Sequence, residues 1–317
     1  MVDASMDGLR DELLEKLAER SRADGTTLAQ PGESESSVEA TVWRALALRV
    51  ARPRPVEAPA IAGIPAIHAT AESSRTAEEA AARLQAADGR VSLSPLHPGA
   101  YSPTAIAVLA WHGRPALAGA RQRAVAFLLA QRGDHFARSP TSPIAGDTEL
   151  AGWPWIERTF SWAEPTALAL LALDSAGEGE HPRARDGRAL LLDRQIASGG
   201  WNYGNARVFG ADLRPAPEST GLVLSALAGR TPASAVAASL AYLEAFAPTM
   251  RTPLALGWAL LAWSAWKAES AAFAATAIRE TLAREGRYGS YDSAEIALLA
   301  VAAAAPQGLL AALREPA

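Results

Sequence analysis

The sequence predicts an all-α fold, specifically a single (α/α)6 toroid in which six inner helices form a ring and six outer helices cover it. Two observations lead to this prediction. Alternating β-branched segments are nearly absent, whereas alanine- and leucine-rich segments with helical spacing recur along the chain. These segments also alternate between two kinds, one apolar on nearly every side and one amphipathic and charged. A helix that is apolar all round must be buried, and an amphipathic helix can cover it.

Both kinds of segment occur six times. The predicted inner helices are 38–50, 103–111, 165–173, 219–227, 253–266 and 294–304. The predicted outer helices are 8–20, 75–86, 119–131, 184–195, 234–246 and 269–284. Clusters of proline and glycine separate many of them, because these residues end helices and form turns. We therefore predict one toroid domain over residues 1–317, with flexible loops at 21–36 and 51–74.

Composition excludes several classes of function. The 317 residues are 49% hydrophobic and carry a net charge of −4 without a basic run, so nucleic acid is not an expected partner. With no cysteine, the chain has no disulfide, no thiolate nucleophile and no cysteine-ligated zinc. The first 20 residues lack the apolar region of a signal peptide, and the longest apolar segment, 297–305, is too short to cross a bilayer. We expect a cytoplasmic protein for which peripheral membrane contact stays open.

A polar position recurs at the start of the inner helices. When the apolar segments are aligned on their shared text, Thr41, Thr104, Thr166 and Thr220 fall into one column. Two residues earlier, the column reads Glu39, Ser102, Glu164, Glu218, Arg251 and Asp292. Because each lies about one residue before a helix, these side chains are expected to form a ring at one end of the barrel.

This ring has two interpretations. Ser, Asp and Glu near a helix N-terminus receive free backbone N–H groups, and an acid there gains roughly 0.3–1 kcal/mol from the helix dipole. Helix capping alone therefore explains any single member. Four acids and one arginine that converge on an apolar cavity are, in addition, the usual signature of a binding or active site.

The outer helices carry a second repeated text. Gln195, Gly199 and Trp201 fit the pattern Gln-x(3)-Gly-x-Trp; Gln85 begins a weaker copy with Val91 in place of the tryptophan, and Gln131 has no tryptophan at that spacing. The pattern resembles the QW repeat of the squalene–hopene cyclase and protein prenyltransferase superfamily. The resemblance implies an α-toroid whose central apolar cavity accepts polyisoprenoid-like ligands.

The catalytic motifs of that superfamily are incomplete here. Its cyclases begin their reaction with Asp-x-Asp-Asp, and the closest text is Asp147-Thr148-Glu149-Leu150. Its prenyltransferases bind zinc through Asp, Cys and His, and this chain has no Cys. The five histidines form no metal-type pair. We therefore expect neither a metal nor another cofactor.

The candidate catalytic groups lie in the stretch 147–164. A carboxylic acid in an aromatic, poorly solvated cleft has a raised pKa and can donate a proton. Asp147 and Glu149 are the predicted donors, with Glu164 beside them, although Asp147 as a turn cap fits the sequence too. Tryptophan faces stabilise a carbocation by roughly 0.5–2 kcal/mol each. The predicted substrate-binding residues are Trp153, Trp155, Trp162, Tyr203, Glu218, Arg251, Tyr291 and Asp292.

Three functions fit these patterns. The first is a cyclase or isomerase that protonates an isoprenoid or another extended apolar substrate. The second is a non-catalytic module that binds a lipid-like ligand or a biosynthetic partner. The third is a sugar-active enzyme with paired carboxylates, separated by about 5–5.5 Å for retention or about 6.5–9.5 Å for inversion. The shape and lining of the central cavity distinguish them.

Overall fold

The computed structural model describes residues 4–51, 65–139, 142–266 and 271–314. The inner helices are α2 (Val38–Val50), α4 (Pro103–Ala110), α6 (Ala163–Ser175), α8 (Pro217–Leu227), α10 (Pro253–Trp266) and α13 (Ser293–Ala304). The outer helices are α1 (Ala4–Glu19), α3 (Pro65–Arg83), α5 (Ala118–Ala130), α7 (Pro182–Asp193), α9 (Ala233–Phe246) and α11 (Ala271–Leu282). The short elements are α12 (Glu285–Tyr288), α14 (Leu309–Leu313) and the strand pairs β1 (Thr27–Leu28) with β2 (Ser36–Ser37) and β3 (Arg207–Val208) with β4 (Ala211–Asp212).

The inner helices form a closed ring. Each packs against the next inner helix along the chain, and α13 packs back against α2. Five outer helices each cover the inner helix that precedes them, while α1 covers α13. The first helix of the chain thus completes the circle beside the last inner one, and the predicted (α/α)6 toroid is confirmed.

Small residues let the inner helices approach closely. One close approach of two backbones joins α8 to α10 at Gly221, where the Cβ of any other residue would lie 2.7 Å from the backbone carbonyl carbon of Trp258. Alanine and leucine fill the remaining interface, and every residue of α4 is buried. Burial on all sides explains why these segments lack the polar stripe of the outer helices.

The two ends of the ring differ. All connections from an outer to an inner helix lie where the inner helices begin, which we call the mouth end. At the opposite end, α14 contacts α2, α6, α10 and α13 and buries Leu309 and Leu313. The short helix therefore covers that end of the ring.

A threonine in the first turn of four inner helices anchors the incoming chain. Its Oγ1 accepts a backbone N–H bond at 2.9–3.0 Å in each case, in the pairs Thr27–Thr41, Val91–Thr104, Trp153–Thr166 and Trp201–Thr220. The four threonines are the column found in the sequence. The alignment of these four helices was therefore correct.

Trp153 and Trp201 each bind the preceding outer helix. The indole N–H of Trp201 donates to Leu191 O at 2.6 Å, and that of Trp153 donates to Leu128 O at 2.8 Å, so both hold the end of the preceding outer helix. Gly133 N donates to Gly152 O at 3.0 Å, closing a loop between Gln131 and Trp153.

The predicted loops need correction. Residues 21–36 contain β1 and the first residue of β2, and residues 65–74 begin α3, which is ten residues longer at its start than the sequence indicated. The rest of the second loop, 52–64, lies outside the described residues. Within the described ranges, no helix is both long and apolar enough to span a membrane.

Candidate functional site

A cavity of about 380 Å³ opens at the mouth end of the ring. This volume is in the range of small-molecule binding pockets. Five of the six aligned polar residues line it, namely Glu39, Ser102, Glu164, Glu218 and Asp292. The ring of polar side chains expected from the sequence therefore surrounds one cavity.

The cavity wall is built in two layers with helical spacing. In each inner helix a lining residue is followed four positions later by a second, because residues four apart share a helix face. The pairs are Glu39–Trp43, Ser102–Ile106, Glu164–Leu168, Glu218–Leu222, Leu254–Trp258 and Ala294–Leu298. The outer layer is thus largely polar, and the inner layer is entirely apolar.

Arg251 is the aligned residue that does not line the cavity. It precedes α10, is exposed, and donates to the carbonyl of its neighbour Met250 at 2.7 Å. By contrast, Glu39, Glu164 and Glu218 are the second residues of their helices rather than preceding them. Leu254 occupies that position in α10, so the alignment of this helix was wrong by three residues.

Burial raises the pKa of four mouth carboxyls. For Glu39 the nearby charge of Asp292 adds to burial, and for Glu164 the charge of Glu218 adds while a hydrogen bond from Ser219 opposes. Burial also raises the pKa values of Asp292 and Glu295, against backbone hydrogen bonds that lower them. The mouth therefore favours retention of protons on its acids.

Helix capping explains only part of this ring. Asp292 and Glu295 form a capping box at the start of α13, with Asp292 accepting from Ala294 N at 2.7 Å. At α2, however, the cap is Ser37, and no hydrogen bond to the Glu39 carboxylate is found within the described residues. Glu164 accepts a bond at 2.8 Å from Ser219 of the neighbouring helix α8. Side-chain capping bonds thus account for the acids of α13. Glu39, Glu164 and Glu218 lie in the first turn of their helices, where the helix dipole favours an acid, but they make no such bond to their own helix.

The predicted proton donors Asp147 and Glu149 do not line the cavity. Arg138 binds Asp147 through both Nε, at 2.8 Å, and Nη2. The hydrogen bond from Arg138 lowers the pKa of Asp147, with the backbone N–H of Glu149 adding to it, which is opposite to the expected shift. Glu149 is exposed. The expectation that this pair borders the cavity was wrong, because it assumed that the whole stretch 147–162 faces inward.

The aromatic residues separate into different environments. Trp155 lines the cavity, whereas Trp153 is fully buried behind it, with the Arg183 guanidinium 4.3 Å from its ring centroid. Trp162 lines a separate pocket of about 100 Å³. Tyr203 is largely exposed, and Tyr291 donates its hydroxyl to Thr281 O at 3.1 Å. Of the predicted substrate-binding aromatics, only Trp155 reaches the cavity.

Besides the aliphatic lining residues, sequence reasoning missed two tryptophans and one acid of the cavity. Trp43 and Trp258 face each other edge to face, with ring centroids 5.9 Å apart. Glu295 lies beside Asp292 in the same lining. Adding four to Glu39 identifies Trp43 directly, and the same rule finds Trp258 once α10 is shifted. Across the described ranges, no group of three or more His, Asp or Glu is placed to hold a metal ion.

Comparison with known proteins shows the fold. No protein-family profile matches the sequence, and neither does any curated protein. Among solved structures, a protein from Actinoplanes is 18% identical, with a TM-score of 0.57 over 97% of this chain and 99% of its own. A variant of the type II terpene cyclase MstE from Scytonema, in complex with its substrate geranylgeranyl dihydroxybenzoate, is 13% identical, with a TM-score of 0.59 over 97% and 98%.

A sugar-active enzyme is equally similar. An inactive variant of an α-1,6-mannanase of Salegentibacter sp., in complex with α-1,6-mannotetrose, is 10% identical, with a TM-score of 0.61 over 96% of this chain and 99% of its own. Terpene cyclases and mannanases thus share this toroid. At these identities the likeness establishes the architecture, and the choice of chemistry rests on the cavity.

Proposed function

We propose that this protein protonates an extended apolar, isoprenoid-like substrate and so catalyses its cyclisation or isomerisation. The observation that carries the proposal is Glu164, a carboxyl group with a raised pKa at the rim of an aromatic and aliphatic cavity. A general acid must hold its proton near the working pH, and burial is how proteins achieve this for a carboxyl group.

One oxygen of the Glu164 carboxyl group remains available to carry a proton. Ser219 Oγ donates to its Oε1 at 2.8 Å, which leaves Oε2 to carry the acidic proton. In the proposed step, an alkene of the substrate takes this proton through its π electrons, forming a C–H bond and a carbocation. A second alkene closes a ring on that cation, and a proton then leaves to a carboxylate of the mouth. The product is an isomer of the substrate.

The tryptophans of the cavity suit the carbocation. Trp43 and Trp258 lie one turn below the carboxyl ring, and Trp155 closes the wall from the loop before α6. Each ring face attracts a positive charge by roughly 0.5–2 kcal/mol, more when water is excluded. The acid thus lies at the rim and the aromatic faces lie deeper in the cavity, so a cation formed by protonation would be next to the rings that stabilise it.

The proposal is tested by turnover in heavy water. The purified protein is incubated in D₂O with the neutral polyprenes geranylgeraniol and squalene, and products are analysed by mass spectrometry. We expect an isomeric product that carries one deuterium on carbon, since the proton on Glu164 exchanges with solvent. The same reaction in H₂O should give the isomer without the label. Recovery of unchanged polyprene that nevertheless binds the cavity would favour the non-catalytic binding module.

The sugar-active alternative is weaker. Its support is the set of carboxyl groups at the mouth together with the mannanase fold. That mannanase is inactive with two adjacent aspartates replaced by alanine, and this sequence contains no two adjacent aspartates. The inner layer of the cavity offers sugar hydroxyls no hydrogen-bond acceptor, and its polar atoms are the indole N–H groups of Trp43 and Trp258. Release of mannose or oligosaccharides from α-1,6-mannan would reverse this preference.

Peripheral membrane contact fits the same function. Thirteen large hydrophobic side chains are exposed in the described chain, and all of them lie in or beside the connections at the mouth end. Examples are Leu96, Phe160 and Phe209, with 87%, 55% and 85% of their surface accessible. Apolar surface clustered in this way marks protein or membrane contacts. We expect the protein to sediment with neutral phosphatidylcholine vesicles, and Phe209→Ser with Leu96→Ser to reduce the bound fraction severalfold. Equal sedimentation of both forms would contradict this contact.

A further inference from the structure

The polar groups at the cavity mouth are nearly all of one charge. Its carboxyl groups are Glu39, Glu164, Glu218, Asp292 and Glu295, and no arginine or lysine of the described residues lines it. The acids act on one another, since the charge of Asp292 bears on Glu39 and that of Glu218 on Glu164. An anionic group placed here would add to this repulsion.

Two arginines near the mouth are engaged elsewhere. Arg20 is buried behind α13, where it donates to Tyr291 O at 2.7 Å and to Ser293 Oγ at 3.3 Å. Its charge reaches Asp292 but its guanidinium does not line the cavity. Arg251 is exposed and bound to Met250 O. The mouth therefore lacks the arginine or lysine clamp with which proteins hold phosphate and carboxylate groups.

Beneath the acids lies an aromatic floor with unused polar atoms. Trp43 and Trp258 have only 7% and 3% of their surface accessible, and both line the cavity. Neither indole N–H has a hydrogen-bond partner within the described chain, unlike those of Trp111, Trp153, Trp201 and Trp266. Their ring faces attract cations, whereas their N–H groups can only donate hydrogen bonds and so do not contribute to holding an ammonium group. Proteins bind ammonium groups on aromatic ring faces, and carboxylates beside such faces add charge attraction.

We propose that the cavity selects apolar ligands whose polar end is positively charged, an ammonium group on an isoprenoid-like chain, and rejects those with a negatively charged end. This inference rests on the proposed function only in taking the ligand's body to be apolar. The carboxyl groups of Glu39, Glu218, Asp292 and Glu295 face the ammonium group, whose positive charge favours their ionised form against the effect of burial. The aliphatic and tryptophan layer holds the chain. A neutral alcohol of the same chain binds with intermediate affinity. Isoprenyl diphosphates and prenylated benzoates, the latter being the class of the MstE substrate, are excluded.

The test uses three probes that share one chain. Farnesylamine, farnesol and farnesoic acid are titrated into the full protein at pH 7, below their aggregation concentrations, and binding is followed by tryptophan fluorescence and calorimetry. We expect the amine to bind at least tenfold more tightly than the alcohol, and the acid at least tenfold more weakly. The amine's advantage should shrink when the salt concentration rises, because screening weakens charge–charge attraction.

Variants that replace a glutamate with the uncharged glutamine test which residues produce the preference for the amine. Glu39→Gln removes a carboxylate with no hydrogen-bond partner, so the ratio of amine to alcohol affinity should fall about threefold or more. Glu244→Gln is the matched control, because this acid is exposed on the outer helix α9, and it should leave the ratio unchanged. Thermal unfolding of both variants shows whether they fold.

Each outcome separates the two proposals. Equal binding of the three probes, or tightest binding of the acid, overturns the charge selection while leaving the proposed reaction intact. No binding of any probe overturns the apolar cavity on which both depend. A preference for the amine that persists unchanged in Glu39→Gln and in high salt overturns the assignment of selectivity to the mouth carboxylates.

Discussion

The Trp153→Ala variant is expected to lose roughly 3–5 kcal/mol of unfolding free energy, the usual cost of truncating a buried aromatic side chain. Trp153 has no accessible surface, and its indole N–H satisfies Leu128 O near the end of α5. Arg183 stacks on the ring and also donates to the carbonyls of Gln131, Ala151 and Gly152. Truncation removes the ring and loosens the arginine that joins three segments. Denaturant unfolding followed by circular dichroism measures the loss.

Trp153→Phe separates the ring from its hydrogen bond. Phenylalanine keeps most of the buried area and the stacking surface for Arg183 but leaves Leu128 O without its donor. A loss of about 1–2 kcal/mol is expected, the cost of one unsatisfied buried acceptor. Because Trp153 lies behind the cavity wall, both variants should retain ligand affinity per folded molecule. Unchanged stability with lost ligand binding would return Trp153 to the substrate-binding residues.

The sequence predicted the ring well because burial leaves a strong pattern. An inner helix must be apolar on all faces, so α2, α4, α6, α8, α10 and α13 could be recognised without any contact information. The polar residues at their starts followed from one alignment. Because the inner helices run parallel, residues at their starts must lie at the same end of the ring, which is the mouth.

The loop residues could not be placed in the same way. Asp147 is held away from the cavity by Arg138, nine residues earlier in the chain. The residues next to Asp147 in sequence do not show whether its carboxylate points into the cavity or binds an arginine outside it. Trp153 and Trp155 are two residues apart and share the same composition around them. Trp153 is anchored to Thr166 through its backbone N–H and packs against the outer helices, whereas Trp155 lines the cavity. In both cases a hydrogen bond to a residue outside the local sequence accompanies the observed position of the side chain.

The Glu164→Gln variant is expected to lose turnover by roughly 10²–10⁴-fold or more, the range attributed to a positioned general acid. Glutamine fills the same space and still accepts the bond from Ser219, but it cannot give up a proton. The fold should remain intact. Stability at neutral pH should stay the same or rise slightly, since the variant removes a carboxyl group that burial disfavours in its charged form. Product formation with a neutral polyprene is the measurement, with Glu244→Gln as the matched control.

The pH profile gives an independent signature of the same group. Burial raises the pKa of Glu164 above the value of 4.5 that a free glutamate shows. A proton donor works in its protonated form, so activity should be highest below the raised pKa and fall as the pH rises through it. The free energy of unfolding should also fall as the pH rises. An acid whose pKa is higher in the folded than in the unfolded state loses its stabilising contribution as the pH rises from the unfolded to the folded value. In Glu164→Gln this contribution to the pH dependence of unfolding disappears. Turnover that survives in Glu164→Gln with an unchanged pH profile would exclude Glu164 as the donor and leave Glu39 as the next carboxyl to test.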